Sequence, residues 1–369
     1  MRWRVLTMPA RKLYNASDTA AAKQKNFLPK QTLDSEDIRM TNGERFWAFF
    51  ARSKDLDRAP VIEWASWWDL TLKEWRKEGL PEGVDLNAYW GLDELRQFWL
   101  PIKSAGCPAP ASHGAAIMET EEDYERIRPF LFGEETLAGI EATLRAFAQT
   151  QPDCPTWFSM DGFFWFPRTL FGIEGHLYAF YDEPELMLRI NRDLCAYHKR
   201  CLEILYRYIQ PCFMTFAEDM SYNHGPMISR ELYDKFMLPF YQELTPIIRA
   251  HGTRVFIDTD GFVEPLIPWF LEGGIEGILP LERMAGVDVN RIRQNYPDLF
   301  MVGGYDKTVM HKGEAAMRAE FERILPAIRS GAYLPGVDHQ TPPDVSMENY
   351  AIFVRLLKEY AQYSGADRK

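Results

Sequence analysis

Short apolar runs alternate with longer amphipathic stretches along most of this chain, and the rhythm is clearest from residue 212 onward. Residues 212–217 read as a buried strand that ends on Glu218-Asp219. From 229 to about 250 apolar positions recur at helical spacing, with Ser229 as cap and Pro239 as a kink. Val255, Phe256 and Ile257 form the next strand, which stops on Asp258 and Asp260 before Gly261 turns the chain. The cycle then repeats. A short helix at 265–272 leads to a strand at 277–280 ending near Glu282, and a helix at 288–295 to a strand at 299–303 ending in Gly304-Tyr305-Asp306-Lys307. A helix at 314–330 leads to a strand at 333–337 ending in Asp338-His339, and a helix from 346 to 363 closes the series.

The N-terminal half is less regular. Residues 1–39 carry no sustained period and read as an extension; there is no apolar core of a secretory signal in them. Thr41 or Asn42 caps a helix that puts Phe46, Phe49 and Phe50 on one face. A first strand is expected at 61–64 with Glu63 inside it, a Trp-rich helical region at 67–100, and a second strand at 112–118. A helix at 134–149, a strand at 156–162 containing Asp161, and a long helix to about 208 follow, the last with Asp182 as N-cap and Pro184 in its first turn. Strand, polar end, helix, repeated, predicts an α/β protein with a parallel sheet, most simply a (β/α)8 TIM barrel forming one domain over 40–369. The alternative is an open doubly wound sheet, but no GxGxxG follows any strand.

Composition narrows the function. A net charge of −11 argues against nucleic acid or an anionic membrane as partner. No apolar run is long enough to span a bilayer. Five scattered cysteines without a CxxC suit reduced thiols in a cytoplasmic protein. Aromatic residues reach 14%, with 11 Trp, which fits a large aromatic core and leaves room for an aromatic ligand.

The chemistry sits at the strand ends, which in a barrel meet at one mouth. Glu63, Asp161, Glu218, Asp219, Asp258, Asp260, Glu282, Asp306 and Asp338 all occupy such places. Asp258 and Asp260 share one side of a strand. Two like charges that close need a cation or a shared proton between them. Glu218 is the better site candidate of its pair, because it follows the apolar run directly, while Asp219 suits a turn cap. His224 and His339 are the histidines expected near the mouth. His113, His176, His198 and His311 are expected at the surface, and His251 at a helix C-terminus.

Several segments in this order resemble the uroporphyrinogen decarboxylase superfamily, which includes cobalamin-linked methyltransferases. They are Thr41-Asn-Gly-Glu-Arg-Phe, Arg58-Ala-Pro-Val, Glu218-Asp219-Met, Met227-Ile-Ser-Arg-Glu-Leu-Tyr, Gly303-Gly-Tyr-Asp-Lys and Pro342-Pro-Asp-Val-Ser-Met-Glu-Asn. The resemblance implies a (β/α)8 barrel. It departs from true decarboxylases after the first strand, where an Arg-rich segment is replaced by Glu63-Trp-Ala-Ser-Trp-Trp-Asp. It departs from the zinc methyltransferases where their His-x-Cys-Gly reads Asp258-Thr-Asp-Gly. At the family's ligand positions this chain has Asp258, Asp260, Glu282 and Asp338, which implies a divalent metal, zinc or a harder ion. The implied activity is demethylation of a small substrate, for which a methoxylated aromatic is one candidate, with the methyl group passed to a corrinoid on a partner protein. Glu218, Asp258, Asp260 and Asp306 would be catalytic. Glu63, Trp64, Trp67, Trp157, Asp161, His224, Tyr305 and His339 would bind substrate, with Trp68 and Phe158 as further pocket walls. The alternative is a carboxy-lyase whose substrate carboxylate meets Arg168, Arg254 or Lys307; a third is a non-catalytic subunit. A homodimer is possible in each case.

Overall fold

The computed structural model describes residues 40–151 and 153–367, so the expected extension 1–39 lies outside the described residues. Among the described residues the main sheet has seven strands: β1 (Arg96–Trp99), β2 (Thr156–Asp161), β3 (Phe213–Ala217), β4 (Arg254–Asp258), β5 (Gly277–Leu279), β6 (Phe300–Tyr305) and β7 (Tyr333–Val337). Each pairs in parallel with its neighbour in chain order, and the sheet curls. Parallel neighbours need crossover connections, and helices supply them. No helix among the described residues is long and apolar enough to cross a membrane.

Register decides which side chains share a face. Trp157, Ser159 and Asp161 align with Phe213, Thr215 and Ala217, and these with Arg254, Phe256 and Asp258. The opposite face, including Phe216, packs on the helices: its ring lies 5.2 Å from Tyr241. The amino end of the first face is closed by aromatics. Phe50 reaches Phe213 (5.1 Å), Phe300 (5.7 Å) and Phe256 (6.0 Å), and Trp157 stacks on Phe213 at 4.9 Å. Gly277 leaves room for this plug, since a Cβ there would lie 2.4 Å from the Phe256 ring. Phe50 ends helix Asn42–Phe50, which a Thr41–Glu44 capping box starts as the sequence suggests. Arg254 holds that helix from below: its Nε and Nη2 donate to the Phe50 carbonyl at 3.2 and 3.1 Å, and Nη1 pairs with Glu276 at 2.6 Å.

Helices expected at 314–330 and from 346 appear as Glu314–Ser330 and Met347–Ala361, the latter capped by Ser346. The helix expected from 229 is two, Arg230–Phe236 and Leu238–Ala250, broken at Met237 just before Pro239. Several N-terminal expectations need correction. Residues 61–64 have no regular secondary structure and belong to no ladder. Their segment spans the gap between β1 and β7 through Asp93 N–H to the Val61 carbonyl (2.8 Å) and the Trp64 indole N–H to the Val337 carbonyl (2.8 Å). Within 67–100, two short helices (Asp69–Lys77 and Leu86–Trp90) precede β1. Residues 112–118 are loop, with Ile117 and Met118 N–H both turned to the Leu170 carbonyl. Asp182 ends helix Ile173–Asp182 instead of capping Pro184–Tyr208. His176 and His198 are fully buried, and burial pushes their imidazoles down to about 3 and about 4.

Candidate active site at the carboxyl ends of the strands

Glu218 and Asp219 leave β3 together and separate at once. Glu218 is fully buried, and its carboxylate accepts N–H groups from Phe163 (2.8 Å), Phe164 (2.7 Å) and Trp165 (3.0 Å). The Tyr241 hydroxyl donates to it as well. Both oxygens are therefore spent on folding the loop after β2, and Glu218 faces no substrate. Burial pushes it up to about 7 even with those donors. Asp219 turns the other way through a left-handed backbone, φ 45°, uncommon for a non-glycine residue. Arg168 holds it there, donating to its carbonyl (3.0 Å) and its Oδ2 (2.9 Å), while the guanidinium lies 5.2 Å from the Trp165 ring. Burial, then Asp260, raises Asp219 to about 6.

Asp258 ends β4, level with Ala217 and Leu279. Its carbonyl accepts N–H from Glu218 (2.8 Å) and Asp219 (3.2 Å), so the β3 and β4 ends are tied. Its carboxylate makes no hydrogen bond among the described residues. Burial, then Asp260 and Asp219, holds it well above the usual carboxylate range. Thr259, buried, accepts the Met220 N–H at 2.9 Å and lies 3.0 Å from the Ser221 hydroxyl, which fixes the turn between the two acids. Asp260 reaches the opening, with 42% of its side chain exposed and Oδ2 3.7 Å from His339 Nε2. Burial, then Glu282, pushes it up to about 7. Gly261 adopts φ 84° under the hairpin Ser221–Pro226, where a Cβ would lie 2.6 Å from Tyr222 Cα. Its N–H donates to Glu282 Oε2 at 2.9 Å.

On the far side, Asp338 is fully buried. It pairs with Lys307 Nζ at 3.0 Å and accepts the Arg283 N–H at 3.0 Å. Burial raises it and Lys307 opposes the rise. His339 is held below its usual range by burial and then by Lys307, and its ring stands edge-on to Trp64 at 6.4 Å. Asp161 accepts the Trp99 indole N–H at 3.1 Å, and burial raises it to about 6.

Asp219, Asp258, Asp260, Glu282, Asp338, His339 and Lys307 thus form one coupled group, with Trp64 beside it. Other expected site residues lie elsewhere. Asp306 caps its own turn, accepting Thr308 N–H at 2.9 Å. Tyr305 ends β6 with its side chain buried on the helix side of the sheet, where its hydroxyl donates to the Met317 carbonyl and its ring meets Phe321 at 4.7 Å. Trp157 belongs to the aromatic plug. Phe158 is fully buried, with Tyr206 of helix Pro184–Tyr208 at 6.4 Å. Glu63 accepts the Tyr350 hydroxyl at 2.9 Å, and burial pushes it up to about 8; Trp67 stands edge-on to the same tyrosine. Trp68 precedes helix Asp69–Lys77. His224 is exposed and touches Tyr222. Arg254 is at the opposite end. Trp99 was not foreseen; nothing in Arg96-Gln-Phe-Trp marks it as a partner of Asp161.

Among the described residues no three of His, Cys, Asp or Glu converge to hold a metal ion. Glu282 is committed to Gly261, and Asp338 to Lys307 and Arg283. Asp258 and Asp260 are the two acids of the expected metal set left open, and two ligands are not a cage.

An all-parallel sheet with titratable groups gathered at its carboxyl ends defines the class of α/β enzyme scaffolds. Within that class, residues 177–360 match the family model "Uroporphyrinogen decarboxylase (URO-D)", and the chain belongs to the uroporphyrinogen decarboxylase superfamily, whose members are enzymes. Among solved structures, a methyltransferase from Methanosarcina mazei shares the fold, with a TM-score of 0.58 over 87% of this chain and 99% of that chain at 15% identity. No curated protein matches the sequence.

Proposed function

We propose that this protein is a methyltransferase that demethylates a small methoxylated aromatic substrate and passes the methyl group to a corrinoid carried by a partner protein. The observation that carries this reading is the open pair Asp258 and Asp260, both held above the usual carboxylate range at the mouth. An ether oxygen leaves poorly as an anion, and a carboxylic acid that keeps its proton near neutral pH can supply what it needs. The reduced corrinoid supplies the nucleophile for the methyl carbon. The carbon–oxygen bond breaks with its electron pair on oxygen, and Asp258 donates its proton to that oxygen and is left as carboxylate. Asp260, open to solvent, takes up a proton from water and shares it with the Asp258 carboxylate, which restores the pair. Trp64 and Trp99 offer ring surface near the acids. The same reading treats 60–65 as the eighth stave that completes a (β/α)8 barrel.

Decarboxylation is less well supported. A substrate carboxylate needs a cation, and Arg168 and Lys307 are already paired with Asp219 and Asp338. A metal-assisted version requires Glu282 and Asp338 to release their present partners. The test is to mix purified protein with cob(I)alamin and 2-methoxyphenol, with and without chelator. Release of catechol with formation of methylcobalamin, unchanged by chelator and about 100-fold slower in Asp258→Asn, is expected. Loss of activity in chelator would contradict the general-acid form, and carbon dioxide release from a carboxylated arene without methyl transfer would contradict the whole reading.

A further inference from the structure

A cavity of about 250 Å³ lies away from the mouth, between residues 128–132 and helix Pro184–Tyr208. Its walls are Phe132 and Tyr197, whose ring centroids are 5.5 Å apart. Ala196, exposed, Arg128 and Arg200 also line it. The volume is below the roughly 300–1,000 Å³ of pockets for drug-sized ligands, so the occupant is small.

The two arginines are not equivalent. Arg128 is turned to Asp193, with Nε donating to Oδ2 at 2.9 Å, and the Tyr124 hydroxyl donates to the same carboxylate at 2.9 Å. That arrangement is a fixed part of the wall. Among the described residues Arg200 pairs with Glu134, whose side chain is 82% exposed. An ion pair to a carboxylate so far into solvent holds weakly and exchanges readily. The planar guanidinium of Arg200 is therefore available to a carboxylate arriving over the cavity. Tyr197 is buried behind Phe132, with its hydroxyl donating to the Pro101 carbonyl at 2.8 Å, so it backs the wall and leaves Phe132, half-buried, as the ring that faces the cavity.

Phe132 adds an independent observation. Its φ is 62°, a left-handed conformation that is a genuine outlier for a bulky side chain. The Phe132 N–H donates to the Ile102 carbonyl at 3.0 Å, and its ring meets Phe166 at 5.6 Å as well as Tyr197. The surroundings thus hold a bulky residue where glycine would be easier, and the result is an aromatic wall on the cavity. We infer that this cavity is a second ligand site, for a small aromatic carboxylate whose ring lies against Phe132, backed by the buried Tyr197, and whose anionic end meets Arg200.

The test uses the full chain and measures binding, so it stands apart from whether the mouth carries out methyl transfer. Benzoate, benzyl alcohol and inorganic phosphate are titrated into wild type, Arg200→Met, Ala196→Trp and Asp258→Asn by ligand-observed NMR. Saturable benzoate binding is expected in wild type, at least tenfold weaker in Arg200→Met, abolished in the cavity-filled Ala196→Trp, and unchanged in Asp258→Asn. Benzyl alcohol and phosphate, each with half the recognition, should bind at least tenfold more weakly than benzoate. Benzoate binding that survives Ala196→Trp, that disappears in Asp258→Asn, or that phosphate matches would overturn the inference, as would no saturable binding to wild type.

Discussion

Two adjacent acids, Glu218 and Asp219, have opposite roles. Glu218 is a structural acceptor for three backbone N–H groups and a tyrosine hydroxyl. Glu218→Ala orphans all of them, at about 1–3 kcal/mol for each buried group left unpaired, so urea unfolding should report a loss of several kcal/mol. Glu218→Gln keeps one acceptor oxygen and should lose less. Asp219 has its carboxylate toward the mouth because its backbone is left-handed. No periodicity reveals that turn, and so the sequence does not show which of the pair faces the mouth. The Lys307–Asp338 pair makes a second prediction at this scale. Asp338 is fully buried, so Lys307→Met strands a charge and should cost about 3–5 kcal/mol. In an Asp338→Asn background the same change should cost much less. Equal losses in both backgrounds, measured as a double-mutant cycle, would mean that the pair is not coupled.

At the scale of elements, the chain from 212 onward is legible because each strand is a compact apolar run and each helix a clean 3.6-residue period. Every strand there falls within two residues of its expected bounds. The first strand of the ladder is not legible in the sequence, because Arg96-Gln97 breaks its apolar run and the tryptophans before it sit at helical spacing. Residues 112–118 have the composition of a strand, yet Ile117 and Met118 N–H turn to one carbonyl, that of Leu170, Ala115 N–H turns back to Ser112, and among the described residues no strand pairs with them. The ends of the curled sheet also separate stability from chemistry. Phe50→Ala empties part of the amino-end plug and should cost about 3–5 kcal/mol by thermal or urea unfolding, with the carboxyl titrations at the mouth unmoved. Gly261→Ala should act on the mouth itself. The left-handed backbone alone costs roughly 1–2 kcal/mol, and the added Cβ drives against the Tyr222 backbone, displacing the hairpin Ser221–Pro226. Amide shifts confined to 219–226 and 258–262 would confirm the displacement; unchanged shifts there would contradict it.

For the whole molecule, the gathered acids set a pH dependence. Asp161 and Asp219 are raised to about 6, Glu218 and Asp260 to about 7, and Glu63 to about 8. Each has a folded pKa above its unfolded value near 4, so the folded state holds these protons more tightly. Their contribution to stability is fully present below about pH 4 and is lost as pH rises toward about 8. The urea midpoint should therefore fall between pH 5 and about 8, the reverse of what acids held by ion pairs produce, and Asp260→Asn should flatten the fall. The family and the α/β class were readable from the order of the motifs. The redistribution of the acids was not, because sequence cannot say which carboxylates are neutralised by a lysine or an amide and which are left facing one another.

In the proposed mechanism Asp258 and Asp260 hold a proton between them at neutral pH without needing a metal. Carboxyl carbon NMR of wild type and of each single Asn variant, titrated from pH 4 to 9 in chelated buffer, tests it directly. The pair should titrate in two coupled steps, with one proton still bound at pH 7, and removal of either partner should lower the pKa of the other. Two carboxylates both ionised by pH 6, with no change in either when its neighbour is replaced, would contradict it.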